Sequence, residues 1–494
     1  MSDSIIETQY GKVRGTSHGT VSVWKGIPFA QPPVGKLRFR PPQPPEPWTG
    51  VRDATKFGLI APQVSAPLAS LFGNGATEIP TGEDCLYLNV WSPGVSGKKR
   101  PVLVWIHGGG FVGGSGSTPW YDGTAFATHG DVVIVTLNYR LGVLGFLYLG
   151  DLISDGSASI GNYGMLDQVA ALQWVHDNIE AFGGDPDNVT VVGESAGAMS
   201  IGVLLAMPSA RGLFQKAVLQ SGASHGVPTR EIASKVAREF LSVVGTDDAA
   251  SLMELPVAQL LEAQAHISRR RGLLSLRPAV DGISLPVQPF AAYSTGSADG
   301  VALLIGTNRD EMKLFTAMDP QQAKLDEAVL KHLFGETGSE VISTYAAAHP
   351  GESQDEAWVD FLTDRTFRIP AIRLAESQVK RDVPVWMYRF DWLSTAFEGR
   401  LGACHALEIP FVWDNLNRAG ASPLTGESPT RQALADKMHA SWIAFLQNGD
   451  PNTSTLPQWP AYTTEQRATM IFNDECQVMN DPQSAERRLW DGVL

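Results

Sequence analysis

Short runs of β-branched and other apolar residues alternate along this chain with longer stretches in which apolar residues recur every three or four positions. Val102-Leu103-Val104-Trp105-Ile106 and Val132-Val133-Ile134-Val135-Thr136-Leu137 are unbroken apolar runs of strand length, the pattern of strands covered on both faces. Between residues 164 and 182 the spacing of Leu166, Val169, Ala170, Trp174 and Ile179 predicts a helix, which Gly183-Gly184 stops. Val189-Thr190-Val191-Val192 reads as the next strand, and residues 196–207 as the helix after it, closed by Pro208. Further strands are predicted over 217–220, 301–305 and 385–390, and a helix over 432–447 ahead of Asn448-Gly449-Asp450-Pro451. Strands alternating with helices predict an α/β fold, a mostly parallel central sheet with helices on both faces. Nothing marks a domain boundary, so residues 1–494 read as one catalytic unit with large insertions. The stretch 62–81, rich in Ala, Ser, Gly and Pro, reads as a long loop.

Composition narrows the function. Hydrophobic residues make up 43% of the chain and charged residues 18%, enough apolar material for a large core and too much for disorder. A formal charge of −14 repels phosphate backbones and anionic lipid surfaces, so nucleic-acid and membrane partners are not expected. The basic run Arg269-Arg270-Arg271 is a local exception and reads as a solvated loop or helix end. Three cysteines, Cys85, Cys404 and Cys476, form neither a disulfide framework nor a C-x-x-C pair. The N-terminus lacks a basic, then apolar, leader, and no apolar run reaches the roughly 18 residues of a membrane span. The expectation is a cytoplasmic enzyme, monomeric or weakly self-associating, acting on a small molecule.

The chemistry centres on Gly193-Glu194-Ser195-Ala196-Gly197, placed between a predicted strand and a predicted helix. Glycines two residues either side of a serine permit a tight turn that lifts the hydroxyl above the sheet, and the helix start favours developing negative charge there. Upstream, His107-Gly108-Gly109-Gly110-Phe111 follows a predicted strand and offers backbone amides to an oxyanion. No Gly-Lys-Ser/Thr and no G-x-G-x-x-G opening a helix supports a phosphate cradle instead. A serine nucleophile needs an imidazole, and the imidazole needs a carboxylate. Of ten histidines, those after the serine remain candidates when the chain order is nucleophile, acid, histidine. His439 falls inside an amphipathic helix, and His332 and His349 in a helical insertion, whereas His405 sits in a short loop after a strand. For the acid, the strand ending near Ile305 leads into Asp310 and Glu311, and position alone does not separate them.

These residues resemble the type-B carboxylesterase/lipase family, and within it the para-nitrobenzyl esterases. The likeness runs almost end to end: Lys25-Gly-Ile-Pro-Phe-Ala, Glu83-Asp-Cys-Leu-Tyr-Leu-Asn-Val, Trp105-Ile-His-Gly-Gly-Gly-Phe, Asn138-Tyr-Arg-Leu-Gly, Phe182-Gly-Gly-Asp-Pro, Gly193-Glu-Ser-Ala-Gly, Gln220-Ser-Gly and His405-Ala-Leu-Glu-Ile-Pro-Phe. The resemblance implies an α/β-hydrolase fold and a serine carboxylesterase that needs no metal or organic cofactor. It implies Ser195 as nucleophile, Glu311 as acid and His405 as base, with Gly109, Gly110 and Ala196 forming the oxyanion hole. Glu194 and Ser221 resemble groups supporting the histidine from beneath, and Phe111, Met199, Leu314 and Phe315 resemble pocket-lining residues. The implied substrate is an uncharged ester of short to medium chain. Amide, carbamate or pyrethroid hydrolysis by the same machinery, or a non-catalytic binding role, are the alternatives. Two departures stand out. Where many relatives carry a Cys-Pro-Gln partner for Cys85, this chain has Ala61-Pro62-Gln63, and residues 62–84 contain no Trp to bind a quaternary ammonium group.

Overall fold

The computed structural model describes residues 2–64, 80–95, 97–153, 161–224, 226–351 and 353–493. Most of the loop expected over 62–81 lies outside the described residues. The strands are β1 (Ser2–Thr8), β2 (Gly11–His18), β3 (Val21–Pro28), β4 (Val51–Asp53), β5 (Tyr87–Ser92), β6 (Arg100–Ile106) and β7 (Val133–Leu137). They continue as β8 (Gly184–Glu194), β9 (Lys216–Gln220), β10 (Ala302–Asn308), β11 (Val385–Phe390), β12 (Ala468–Phe472) and β13 (Gln477–Asn480). One sheet joins them in the order β1-β2-β3-β5-β7-β6-β8-β9-β10-β11-β12-β13, with β4 paired to β2. From β7 to β12 every neighbouring pair is parallel. The antiparallel pairs lie at the two edges.

The apolar run of β6 shows why its strand signal was continuous. Val102, Val104 and Ile106 enter one core cluster, while Leu103 and Trp105 enter another. Successive side chains point to opposite faces, and each face is covered, so both phases of the alternation must be apolar. Full burial of each such aliphatic side chain contributes about 1.5–3 kcal/mol. Strand β8 starts at Gly184, five residues before the apolar run at Val189 that predicted it. Its first half carries Asp185, Asp187 and Asn188, which give no hydrophobic signal. The helix expected over 196–207 ends at Leu204 and gives way to a short turn at Pro208–Ala210. The basic run Arg269-Arg270-Arg271 closes the helix Val257–Arg271, where cations meet the negative end of the helix dipole.

Register sets the site. Gly193 at the end of β8 pairs with Ile106 at the end of β6 and with Leu219 near the end of β9. The loops leaving β6, β8 and β10 therefore emerge on one rim, at the carboxyl ends of parallel strands, where α/β sheets place their ligands. Between β10 and β11 the chain inserts a helical segment from Met312–Met318 to Ile369–Val379. Among the described residues no helix is long and apolar enough to cross a membrane.

Candidate active site

The turn after β8 holds Ser195 at φ 57°, ψ −123°, a conformation that costs a non-glycine residue about 1–3 kcal/mol. Two backbone hydrogen bonds hold it there: Ser195 N donates to Gln220 O at 2.9 Å, and Met199 N donates to Ser195 O at 2.8 Å. The flanking glycines are demanded by space. A Cβ on Gly197 would stand 2.0 Å from Ile106 O, and one on Gly193 would stand 2.7 Å from the Gly197 carbonyl carbon. Ser195 stays partly exposed while the residues on both sides of it are buried.

The glycine loop after β6 lies against this turn, since a Cβ on Gly108 would be 3.0 Å from Ser195 Cβ. Gly109 has φ +110°, and any side chain there would meet Gly113 O at 2.2 Å. Among the described residues the amides of Gly109, Gly110 and Ala196 donate to no backbone or side-chain acceptor. Three donors are thus left beside the serine. His107 braces the loop: its Nδ1 lies 2.8 Å from Gly108 O, and its ring stacks on Tyr139 at 4.5 Å. Gln63 braces it from outside, accepting from Gly114 N at 2.8 Å and donating to Gly114 O at 3.0 Å. Gln63 is the last residue of the Ala61-Pro62-Gln63 departure. Cys85, which that departure leaves without its usual partner, is a buried free thiol.

His405 follows β11 through a loop, and its Nδ1 lies 2.6 Å from Glu311 Oε2. Glu311 is fully buried, and its other oxygen accepts the Asn308 amide at 2.8 Å, which fixes the carboxylate at the end of β10. His405 Nε2 lies 3.0 Å from Glu194 Oε1, although that oxygen makes no hydrogen bond. In this resting geometry the Ser195 hydroxyl makes no hydrogen bond to the imidazole either; such contacts often tighten only when substrate is bound. Asp310, the other acid that sequence position allowed, does different work. It accepts from Ala403 N at 2.8 Å and pairs with Arg309 at 2.9 Å and Lys313 at 3.0 Å, tying down the loop that carries His405.

Behind the histidine lies a buried carboxylate that sequence reasoning missed. Glu408 is fully buried and accepts from Gln220 Nε2 at 3.0 Å and Asn308 Nδ2 at 2.7 Å, and among the described residues no Lys or Arg pairs with it. The available signal was the polar Gln220 and Glu408 set in otherwise apolar runs. Burial works against a charged imidazole, but Glu194, Glu311 and Glu408 outweigh it and raise the His405 pKa to about 9. Burial likewise pushes Glu194 up to about 8, the His405 charge opposing and Glu408 and Glu311 reinforcing it. Ser221 is buried beside this cluster at φ 52°, its Oγ without a partner.

The four residues expected to line a pocket separate in the structure. Phe315 and Met199 are half-buried and pack with Met312, Val359 and Phe367. Phe315 and Phe367 lie 5.0 and 4.8 Å from the His405 ring, forming an apolar wall over it. Phe367 was not foreseen; it sits in a π-helical turn, Asp364–Arg368, that no residue pattern announced. Leu314 instead turns into a separate core cluster, because it lies one residue out of phase with Phe315 on the same short helix. Phe111 is 1% exposed with its ring edge-on to Phe146 at 5.1 Å, so it backs the site from within the core. His439 is buried with Nδ1 2.8 Å from Val412 O, and His332 and His349 belong to the helical insertion. Among the described residues no group of three His, Cys, Asp or Glu side chains is placed to hold a metal ion.

The carboxylesterase family model matches residues 2–490. The chain is 45% identical over 507 residues to the para-nitrobenzyl esterase of Bacillus subtilis (strain 168), covering 99% of this chain and 98% of that one. It is 36% identical over 485 residues to a phenmedipham hydrolase of Pseudarthrobacter oxydans, covering 95% of each. Among solved structures, the carboxylesterase EST55 of Geobacillus stearothermophilus superposes with a TM-score of 0.89 at 46% identity, covering 98% of this chain and 99% of that one. A PNB esterase superposes with a TM-score of 0.88 at 43% identity, covering 99% of each chain.

Proposed function

The chain belongs to the carboxylesterase family and is a carboxylic ester hydrolase, and from that premise we propose that it works through a Ser195–His405–Glu311 triad and an acyl-enzyme. The observation that carries this reading is the buried 2.6 Å contact between His405 Nδ1 and Glu311, beside a serine held in a strained turn at the end of β8. His405 Nε2 takes the hydroxyl proton as Ser195 Oγ bonds to the ester carbonyl carbon. The oxygen then carries a negative charge to which the amides of Gly109, Gly110 and Ala196 donate hydrogen bonds, each such donor being worth about 2.7–4 kcal/mol in the transition state. Glu311 stabilises the imidazolium without taking its proton. Collapse breaks the bond to the alcohol, which leaves with the proton from His405. A water then repeats the cycle on the acyl-enzyme, its proton passing through His405 to Ser195, and the carboxylic acid departs.

Substrate range follows from the wall. Met199, Phe315 and Phe367 offer apolar surface over the base and no charge, which suits uncharged esters of short to medium chain. The test is hydrolysis of p-nitrophenyl butyrate by the protein and by Ser195→Ala in the presence of EDTA. Wild-type turnover that survives the chelator and falls by about 10⁴-fold or more in the variant is the expected result. A folded wild-type protein that neither turns over the ester nor takes a fluorophosphonate label on Ser195 would overturn the triad reading.

A further inference from the structure

Away from the triad, a recess of about 160 Å³ opens between the loop after β7 and the segment 271–277. Phe146, Ile232, Val236 and Leu274 give it apolar walls. A cavity of about 150 Å³ accommodates a benzene ring, so the space suits a short acyl chain or one ring. Two polar side chains, Arg277 and Ser275, line it. Both residues are half-buried, and among the described residues Arg277 Nε and Ser275 Oγ are closed off from solvent with no hydrogen-bond partner. Burial holds the Arg277 guanidinium below its ordinary pKa, and no carboxylate offsets it.

Two nearby described carboxylates are engaged by other cations. Glu239 is engaged by Arg271 at 2.6 Å and by Arg270 at 3.1 Å. Asp151 is held by Arg230 and Ser234. Among the described residues, neither Glu239 nor Asp151 pairs with Arg277. A buried guanidinium Nε–H left without an acceptor is destabilising, and an incoming anion can supply the acceptor. A guanidinium fork with a hydroxyl beside it fits the two oxygens of a carboxylate.

We propose that this recess binds a carboxylate carried on a small apolar body, with Arg277 and Ser275 gripping the carboxylate and the Phe146–Leu274 walls taking the apolar part. The recess is joined to the candidate active site through one ring contact, Phe146 against Phe111, which directly follows Gly110. Two sources can supply the group: the far carboxylate of a dicarboxylic half-ester, or a free acid such as the product of ester hydrolysis. The half-ester source rests on the triad reading; binding of a free acid does not.

The test titrates the full chain with hexanoate by calorimetry, in the wild type, Arg277→Met, Arg277→Lys and Ser195→Ala. Affinity is expected to fall at least tenfold in Arg277→Met and by a smaller factor in Arg277→Lys, which keeps the charge and loses the fork, while staying within about threefold in Ser195→Ala. In parallel, kcat/KM is measured on 4-nitrophenyl butyrate and on 4-nitrophenyl hydrogen glutarate. A loss in Arg277→Met at least tenfold greater on the glutarate half-ester than on the butyrate identifies the substrate's free end as the source. An equal change on both esters, with hexanoate affinity lost, identifies a free acid. Unchanged hexanoate affinity together with equal effects on both esters in Arg277→Met overturns the proposal. Thermal melting guards against a purely structural role: removing an unpaired buried cation should leave Tm unchanged or higher. A Tm lowered by several degrees with hexanoate affinity intact also overturns it. A wild type that turns over neither ester strikes the triad reading alone, since the hexanoate titration stays readable.

Discussion

Two histidines in loops that follow strands β6 and β11 are buried to nearly the same degree and end in opposite states. His107 is 1% exposed and His405 4%. Around His107 stand a backbone carbonyl and the Tyr139 ring, and burial drives its pKa down to about 4 despite the hydrogen bond to Gly108. Around His405 stand three carboxylates, which overturn the same burial and raise it to about 9. Removal from water disfavours an imidazolium wherever it occurs, so depth in the core does not make a base. What separates the two is which chain segments return to the site. The end of β10 brings Glu311 and the end of β8 brings Glu194 to the His405 ring, while the His107 ring meets the Gly108 carbonyl and the Tyr139 ring. In the proposed mechanism one region holds a positive charge and the other presents donors to a negative one.

The largest expected effect breaks this pair apart. His405→Gln should lower kcat on p-nitrophenyl butyrate by about 10⁴-fold, the scale seen when a triad base is lost. His107→Gln should lower it by about tenfold, through a loosened glycine loop with the proton carrier intact. Steady-state rates on both variants, with near-UV circular dichroism to verify folding, check the contrast. Equal losses would mean that His405 is not the base.

A second prediction sharpens the electrostatic half of the comparison. The base must be neutral to accept the serine proton, so a pKa raised above the ordinary 6.5 puts the rising limb of kcat/KM on the alkaline side, near 9. Glu194→Gln removes the carboxylate 3.0 Å from Nε2 and should move that limb downward by about one pH unit or more. Activity at pH 6 should then be a larger fraction of the maximum than in the wild type. A limb that stays in place in the variant would show that Glu194 does not set the charge on His405.

How this contrast was legible in the sequence differs between its two halves. The strand–glycine–serine–glycine–helix order and the His107-Gly108-Gly109-Gly110 run are local patterns, and local patterns survive in a linear reading because backbone space demands glycine at 193 and 197. The strands β6, β7 and β9 were legible for the same reason, since apolar runs follow from burial on both faces. The carboxylate cluster was harder. Gln220, Asn308 and Glu408 meet only through the pairing of β9, β10 and the loop after β11, and nothing in their immediate neighbours states that partnership. The wall was least legible. Phe367 reaches His405 from a π-turn inside an insertion, and Leu314 and Phe315 part company through helix phase, which an adjacent pair of apolar letters does not reveal.

The smallest effect concerns the neighbour that sequence position could not tell from the acid. Asp310 and Glu311 are adjacent and both buried, yet only Glu311 touches the imidazole. Burial alone would raise the Asp310 carboxyl, but Arg309, Lys313 and the Ala403 amide hold it below the ordinary carboxylate range, so it stays charged as a clamp on the His405 loop. Asp310→Asn retains one acceptor for the Ala403 amide and gives up both ion pairs. It should destabilise the fold by about 1–3 kcal/mol, since the cations around it lose their partner in a partly buried place. It should lower kcat by threefold to tenfold with KM little changed, because the imidazole is then held less firmly against Glu311. The pH limb should not move, as the carboxylates that raise His405 are Glu194, Glu311 and Glu408. A limb displaced as far as in Glu194→Gln would make Asp310 a member of the charge cluster, and the division between a loop clamp and a proton site would fail.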